Sequence, residues 1–143
     1  MLIRPYDERD EESVVQLWDR CGLIRPWNDP RKDIARKLRV QRELFLVGTV
    51  DSTVIASVMA GYDGHRGWMY YLAVDPEFRG HGIGRALLRH LEDLASERDC
   101  AYVQWAVLDW NEPAIKFYRR LGAFSLDEWT LYRLECNDGR ALQ

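Results

Sequence analysis

The sequence has little that would stabilise a secreted protein or hold one in a membrane. Its 143 residues include three cysteines, an odd number with no CxxC pair, which argues against a disulfide framework and against a zinc site. No apolar run approaches the roughly 18 residues of a membrane-spanning helix, and the opening MLIRPYDERD lacks the apolar stretch of a signal peptide. We therefore expect a cytoplasmic protein without a metal and without a membrane partner.

Positive charge is also too scarce and too scattered for a nucleic-acid-binding protein. Lys and Arg number 20 against 23 Asp and Glu, the net charge is −3, and no basic tract marks a nucleic-acid footprint. The composition is otherwise that of a folded protein, with 47% hydrophobic and 30% charged residues. A chain of this length is enough for one domain, so we expect a single domain over residues 1–143.

Apolar periodicity and turn residues predict an alternation of strands and helices along the chain. Capping residues delimit the helices, for example Asp29 with Pro30 at a start and Gly22 at an end. Asp51-Ser52, between two apolar runs, predicts a hairpin turn. The predicted strands are 2–6, 44–50, 54–62, 68–74, 101–108 and 126–134. Of the four predicted helices, the first ends at Gly22, the second begins after Asp29, the third covers 83–98 and the fourth covers 112–120. This β-α-α-β-β-β-α-β-α-β order predicts a mixed sheet covered by helices.

A glycine-rich loop follows the third long strand. Gly80, Gly82 and Gly84 lie within five residues, flanked by Arg79 and Arg85, where the predicted long helix begins. Glycines let the main chain approach a ligand closely, and the free N–H groups and dipole of a helix start favour an anion. The loop therefore predicts a phosphate or pyrophosphate site. It is neither a P-loop, because no Gly-Lys-Ser/Thr follows, nor a dinucleotide fingerprint, because an arginine occupies the third glycine position.

Together with the preceding Leu72-Ala73-Val74-Asp75-Pro76, this loop resembles the pyrophosphate-binding signature of the GNAT superfamily of acetyl-CoA-dependent N-acetyltransferases. The signature is Gln or Arg, two residues, Gly, one residue, then Gly or Ala, and it is matched at Arg79, Gly82 and Gly84. A second signature of the same family resembles residues 111–124, NEPAIKFYRRLGAF. The resemblance implies an α+β fold, filed as a three-layer α/β fold in some schemes. Its largely antiparallel mixed sheet would hold acetyl-CoA where two central strands splay apart.

Two narrower resemblances point to different subfamilies. Residues 23–80, with LIRPWNDP and GYDGHRG, resemble the YpeA-like bacterial acetyltransferases, whereas residues 109–123 resemble the diamine acetyltransferases. We assign the chain to the YpeA-like group because that resemblance covers more of the chain.

The family resemblance also implies roles for individual residues. Tyr118 matches the tyrosine that protonates the departing thiolate, and a phenol with a reference pKa near ~10 can do so. Tyr118 also fits an apolar stripe on its helix, so packing is the alternative. Asn111 is either a helix N-cap or a neighbour of the cofactor. The residues expected to bind acetyl-CoA, with the N–H of Leu72 as the oxyanion donor, are Leu72, Ala73, Val74, Arg79, Gly80, His81, Gly82, Ile83, Gly84, Arg85 and Asn111.

The sequence does not identify a general base. Many family members carry a glutamate on the strand before the pyrophosphate loop, but residues 68–72, WMYYL, contain no carboxylate. Asp63, His65, Asp29 and a water chain remain open as alternatives. At pH 7 about 14% of an α-amine with a pKa near ~7.8 is neutral, against about 0.04% of a lysine-like amine. An enzyme with a weak base is therefore expected to favour α-amines.

The acceptor site is expected from three segments: the connector between the first two helices, the turn at 61–67, and the strand near residue 105. The predicted reaction moves the acetyl group of acetyl-CoA to a primary amine, on a small molecule or as the α-amine of a protein or peptide. Direct attack in a ternary complex is expected, since no cysteine lies near either signature to carry the acetyl group. A diamine or polyamine acetyltransferase and a non-catalytic acyl-CoA-binding module are the alternatives, and a homodimer is left open. The residues expected to line the acceptor site are Trp27, Tyr62, Asp63, His65 and Trp105.

Overall fold

A computed structural model of the chain describes residues 1–136. The chain divides into two compact units, the first from Met1 to Ala106 and the second beginning at Val107. The expected single domain over residues 1–143 stays a prediction.

The first unit is built on a five-stranded sheet whose strands lie in chain order. Each strand pairs with the next in antiparallel fashion except the last pair, which is parallel. This arrangement confirms the predicted mixed, largely antiparallel sheet of an α+β fold. The strands are β1 (Leu2–Pro5), β2 (Phe45–Val50), β3 (Thr53–Tyr62), β4 (Gly67–Val74) and β5 (Val103–Gln104).

Helices flank this sheet, and their boundaries follow from local capping. Helix α1 covers Glu11–Arg20, α2 covers Pro30–Lys37, and α3 covers Ile83–Glu97. The side chain of Asp29 accepts hydrogen bonds from the N–H groups of two residues in the first turn of α2, which confirms the predicted N-cap. Helices α1 and α3 both contact β3 and β4.

The core between the sheet and helix α1 is aromatic. Trp18 and Phe45 are fully buried, and Tyr6 stacks on Phe45 with ring centroids 4.5 Å apart. Met59 belongs to this cluster, whereas its neighbour Ala60 lines a small cavity with Leu91 of α3. Since successive strand residues face opposite sides of a sheet, the α1 and α3 helices cover opposite faces.

The hairpin between β2 and β3 turns at the two residues that the sequence indicated. Asp51 and Ser52 have φ values of 50° and 67°, and two consecutive positive φ values are the mark of the two-residue turn that matches strand twist. The predicted hairpin is confirmed.

Two predicted strands differ in the structure. The strand expected over 101–108 is reduced to Val103–Gln104, and the strand expected over 126–134 is absent from the described part of the chain. Alternating apolar residues satisfy a strand pattern, but a strand also needs a hydrogen-bonded neighbour. In residues 126–134 the apolar side chains are exposed instead, as Trp129 at 69% and Tyr132 at 88% show. The predicted element order therefore ends, in the described residues, with a helix.

That helix is α4 (Glu112–Arg120), in the second unit, with the predicted boundaries. Asn111 caps its N-terminus, since its side chain accepts a hydrogen bond from the N–H of Ala114 at 3.3 Å. Gly122 follows with φ +94°, a conformation that glycine adopts without strain.

Candidate functional site

The glycine loop is shaped by its main chain. It follows β4 and a short turn at Pro76–Phe78 and leads into α3. Gly80 and Gly82 have φ values of +83° and +76°, and a Cβ at either position would meet nothing within 4 Å. The left-handed backbone, not lack of space, is therefore what requires glycine at both positions.

The start of helix α3 has the properties of an anion site. Gly82 occupies the N-cap position without a capping side chain, and the first turn contains no acidic residue. The N–H groups of the first turn therefore have no capping side chain, and the helix dipole adds positive potential there. Arg79 and Arg85 are exposed beside them. These features agree with the predicted phosphate-binding loop.

Side chains hold the loop in place. The Arg79 guanidinium donates its Nε–H to the carbonyl of Val74 at 3.1 Å, and Nδ1 of His81 lies 3.0 Å from the carbonyl oxygen of Arg79. Asp75 forms an ion pair with Arg20 of α1 at 2.8 Å. The side chain of Ile83 is buried, so a role in ligand binding falls to its main chain.

Strands β4 and β5 separate soon after they meet. They pair at two positions, Gly67 with Val103 and Trp68 with Gln104, and in the described residues the remainder of β4 has no partner on that edge. The stretch Leu72–Val74, which the sequence assigned to acetyl-CoA, lies in this unpaired part. An open edge of this kind can donate and accept hydrogen bonds with a ligand's amides.

Strand β4 contains a bulge at Tyr71 and Leu72, within the part that does not pair with β5. Ser57 faces Ala73 and Met59 faces Tyr70, so Tyr71 and Leu72 together oppose one residue of β3. Tyr71 has φ +54°, which is a strained conformation for a residue with a bulky side chain. Bulges re-aim side chains and are frequent beside active sites.

The bulge is held by a buried hydrogen-bonded cluster. The Trp18 indole stacks on the Tyr71 ring with centroids 3.8 Å apart and donates to Oγ of Ser57 at 2.9 Å. Ser57, which is fully buried, donates in turn to the carbonyl of Tyr71 at 2.9 Å. Helix α1 and strand β3 thus fix the main chain directly before Leu72.

Tyr71 also reaches helix α2. Its hydroxyl donates to Oδ2 of Asp33 at 2.6 Å, and the side chain of Asn28 hydrogen-bonds to the same tyrosine. Burial, followed by the hydrogen bond and charge of Asp33, raises the pKa of Tyr71 well above its usual value. Sequence reasoning missed this group because Asp33 lies in the first turn of a helix, where an acidic residue has a local explanation.

The residues predicted to bind the acceptor come from separate segments. Trp27 lies between α1 and α2 and is 74% exposed, whereas Trp105 directly follows β5. Tyr62 is the last residue of β3, and Asp63 and His65 lie in the turn that follows it before β4.

Within that turn Asp63 has a structural role. Its carboxylate accepts hydrogen bonds from the N–H groups of His65 and Arg66, both at 2.8 Å. These bonds lower the pKa of Asp63, because they favour the ionised form. His65 itself is exposed.

Tyr118 lies in the second unit, on helix α4. Its ring meets that of Phe117 edge-on, with centroids 5.3 Å apart. Burial raises the pKa of Tyr118 to about 12, so the phenol keeps its proton at neutral pH. A protonated phenol is the form that a proton donor requires.

Two other kinds of site are not seen in residues 1–136. No group of three or more His, Cys, Asp or Glu side chains could hold a metal ion there. No helix in the same range is long and apolar enough to cross a membrane.

Most of the chain matches the model of a known family. The model of the acetyltransferase (GNAT) family matches residues 9–123, a range that includes the glycine loop, the bulge and helix α4. The chain belongs to the GNAT acetyltransferase family. It is therefore an acyltransferase of a family that uses acetyl-CoA.

Solved structures of acetyltransferases resemble this GNAT chain. Ard1 from Thermoplasma volcanium is 29% identical, with a TM-score of 0.76 over 85% of this chain and 80% of that one. The ribosomal-protein-S18-alanine N-acetyltransferase from Escherichia coli is 25% identical, with a TM-score of 0.70 over 85% and 76%. A predicted acetyltransferase from Clostridium acetobutylicum, solved with acetyl-CoA, is 21% identical over 93% and 96%, with a TM-score of 0.70, and shows the fold alone.

The residues of the GNAT loop fit the pyrophosphate of acetyl-CoA. Two left-handed glycines, an uncapped helix start without acidic residues and two exposed arginines suit a dianionic group. The YpeA-like assignment and the individual residue roles stay predictions.

Proposed function

We propose that this GNAT acetyltransferase moves the acetyl group of acetyl-CoA to a primary amine, by direct attack of the amine on the thioester in a ternary complex. The favoured acceptor is an α-amine, on a small molecule or at the start of a peptide or protein. The observation that carries the proposal is the loop before helix α3, where Gly80 and Gly82 are left-handed and the N–H groups of the first helical turn have no capping side chain. In the same proposal the enzyme is a single-domain, cytoplasmic member of the YpeA-like group, and a homodimer is left open.

Main-chain groups do most of the binding in this proposal. The N–H groups of the loop bind the pyrophosphate, with Arg79 and Arg85 at its rim, and the open edge of β4 from Leu72 to Val74 binds the pantetheine arm. The N–H of Leu72, directly after the bulge, stabilises the oxyanion that forms when the amine attacks.

Tyr118 is the proposed general acid, and Asn111 lies beside the cofactor. The phenol of Tyr118, which is protonated at neutral pH and whose pKa burial raises to about 12, protonates the departing thiolate. The raised pKa makes the phenol a weaker acid than usual. The thiolate, whose thiol has a reference pKa near ~8.5, nevertheless departs most readily when a proton donor lies next to it.

The preference for α-amines has two supports. Residues 68–72 of β4 contain no carboxylate, so an acceptor that is already partly neutral starts with an advantage of about 3 kcal/mol over a lysine-like amine. The second support is the Escherichia coli enzyme, which by its name acetylates an alanine of a protein. Alanine has no side-chain nitrogen, so the amine there is an α-amine. Trp27, Tyr62, Asp63, His65 and Trp105 are the proposed acceptor-site residues.

A diamine or polyamine acceptor is the second candidate, on the resemblance of residues 109–123. Release of coenzyme A thiol from acetyl-CoA, followed across alanine-terminated peptides, Nα-acetyl-lysine and spermidine, separates the two. A rate with the peptide well above the other two supports an α-amine enzyme, and a rate with spermidine above the peptide supports the polyamine reading. Binding of acetyl-CoA without transfer to any of the three would support a non-catalytic acyl-CoA-binding module.

A further inference from the structure

The carboxylate that β4 lacks in sequence is supplied to it in space by helix α2. Asp33 is 38 residues from Tyr71 along the chain, yet its Oδ2 accepts a hydrogen bond from the Tyr71 hydroxyl at 2.6 Å. Tyr71 directly precedes Leu72, the first of the three residues proposed to bind the cofactor arm. The carboxylate and the hydroxyl therefore lie at the bulge, on the face of the sheet that carries helices α1 and α2.

The position of the Tyr71 ring is determined by more than the Asp33 contact. Trp18 stacks on the ring at 3.8 Å, and Ser57 holds its carbonyl at 2.9 Å. The main chain of Tyr71 is left-handed, at φ +54°, a conformation that persists in a bulky residue when the surroundings enforce it. Such enforced strain concentrates at functional sites.

The pair is also accessible to a ligand. Tyr71 is half-buried, and the side chain of Asp33 is 24% exposed. A phenol oxygen both donates and accepts, so the hydroxyl that donates to Asp33 can accept a hydrogen bond from an incoming amine.

We infer that Tyr71 and Asp33 form a proton relay that takes the proton of the acceptor amine. The inference rests on the proposed function. As the amine nitrogen forms its bond to the acetyl carbon, one N–H proton passes to Oη of Tyr71, and the hydroxyl proton of Tyr71 passes to Oδ2 of Asp33. The C–S bond breaks and the thiolate takes a proton from Tyr118. Asp33 then loses its proton to solvent and Tyr118 regains one, so the protons balance.

Several charged or polar groups face the relay. Arg36 of α2 forms an ion pair with Oδ1 of Asp33. Asn28 hydrogen-bonds to Tyr71 from the α1–α2 connector. On α1, Glu11 and Glu12 of the first turn form ion pairs with Arg31 of α2.

The relay is tested in the full chain with an alanine-terminated peptide and acetyl-CoA. The variants are Asp33→Asn, which keeps the shape of the side chain, Tyr71→Phe, which keeps the stacked ring, and the double variant. Asp19→Asn, an exposed carboxylate on α1, is the matched control. Thermal unfolding and calorimetric binding of acetyl-CoA are measured for each variant.

We expect each single variant to lower kcat by about 10²-fold, within the usual range for proton transfer, with acetyl-CoA affinity unchanged within about twofold. The double variant should be no slower than the slower single variant, because both substitutions break the same relay.

Two outcomes overturn the relay in an active wild-type enzyme: an unchanged kcat in Asp33→Asn, or additive losses in the double variant. A variant that loses thermal stability and acetyl-CoA affinity along with kcat would assign the pair to structure alone. A wild type that transfers acetyl to no amine would overturn the proposed function instead, and the relay with it.

Discussion

The two ends of the proposed active site are built in different ways. In the proposal the glycine loop binds the pyrophosphate through consecutive main-chain groups, and Gly80 and Gly82 set the shape of the loop through their own φ values. The acceptor side is assembled from side chains on three elements, with Asp33 from α2, Trp18 from α1 and Tyr71 from β4 meeting at one bulge.

This difference explains which amino-acid substitutions each end of the proposed site can tolerate. A main-chain site depends on a few residues being glycine, so almost any side chain there disturbs it. A side-chain site can change one contributor at a time while the sheet stays intact. The same phosphate-binding loop can therefore accompany many different acceptors within one fold.

The largest expected effect is a loss of kcat on removal of the Tyr118 hydroxyl, a change that should leave acetyl-CoA binding intact. Tyr118→Phe removes the phenol hydroxyl and keeps the ring against Phe117. We expect kcat to fall by roughly 10²–10⁴-fold, because the departing thiolate loses its proton donor, while acetyl-CoA affinity stays within about twofold. Steady-state rates and calorimetry on the same samples measure both. An unaltered kcat, under conditions where chemistry limits the rate, would leave Tyr118 a packing residue.

The next largest effect should come from the main-chain end. Gly82→Asp places a β-carbon at φ +76° and a negative charge where the pyrophosphate binds. We expect acetyl-CoA affinity to fall by about 100-fold or more, since like charge and the lost left-handed turn both act against binding.

Gly22→Asp is the control for that loss, because Gly22 is also left-handed, at φ +70°, and a Cβ there would meet nothing within 4 Å. It should carry a similar backbone strain and leave acetyl-CoA affinity unchanged. Equal losses in the two variants would mean that strain, rather than the pyrophosphate, accounts for the result.

A smaller effect is expected where side chains hold the bulge. Ser57→Ala leaves the indole N–H of Trp18 and the carbonyl of Tyr71 without their partner inside the core. We expect the free energy of unfolding in urea to fall by about 1–3 kcal/mol, with acetyl-CoA affinity little changed. Ser13→Ala, at an exposed position of α1, should cost far less. Unchanged stability in Ser57→Ala would mean that water or a neighbouring group replaces the serine.

The sequence predicted best what is local. The N-cap at Asp29 and the hairpin turn at Asp51-Ser52 each depend on a few adjacent residues, and both are found. The strand expected over 126–134 depended on a pairing partner that an alternating pattern does not specify.

The bulge at Tyr71 and its contact with Asp33 were not predictable for a similar reason. A β-bulge arises where two residues of one strand oppose one residue of the neighbouring strand, so the sequence of either strand alone does not reveal it. The contact with Asp33 joins residues 38 positions apart, so no spacing rule within a helix or strand reveals it. The sequence shows correctly that residues 68–72 of β4 contain no carboxylate. The structure shows that the carboxylate of Asp33 reaches this strand from α2.

The most direct test of the account is the pH dependence of kcat/KM for paired acceptors, an alanine-terminated peptide and Nα-acetyl-lysine, with acetyl-CoA. The account predicts that the α-amine is favoured at pH 7 by about 10²-fold and that the rate levels off near the acceptor's own pKa, because the neutral amine attacks. A strong preference for the lysine amine at pH 7, with a plateau already reached near pH ~6–7, would contradict it.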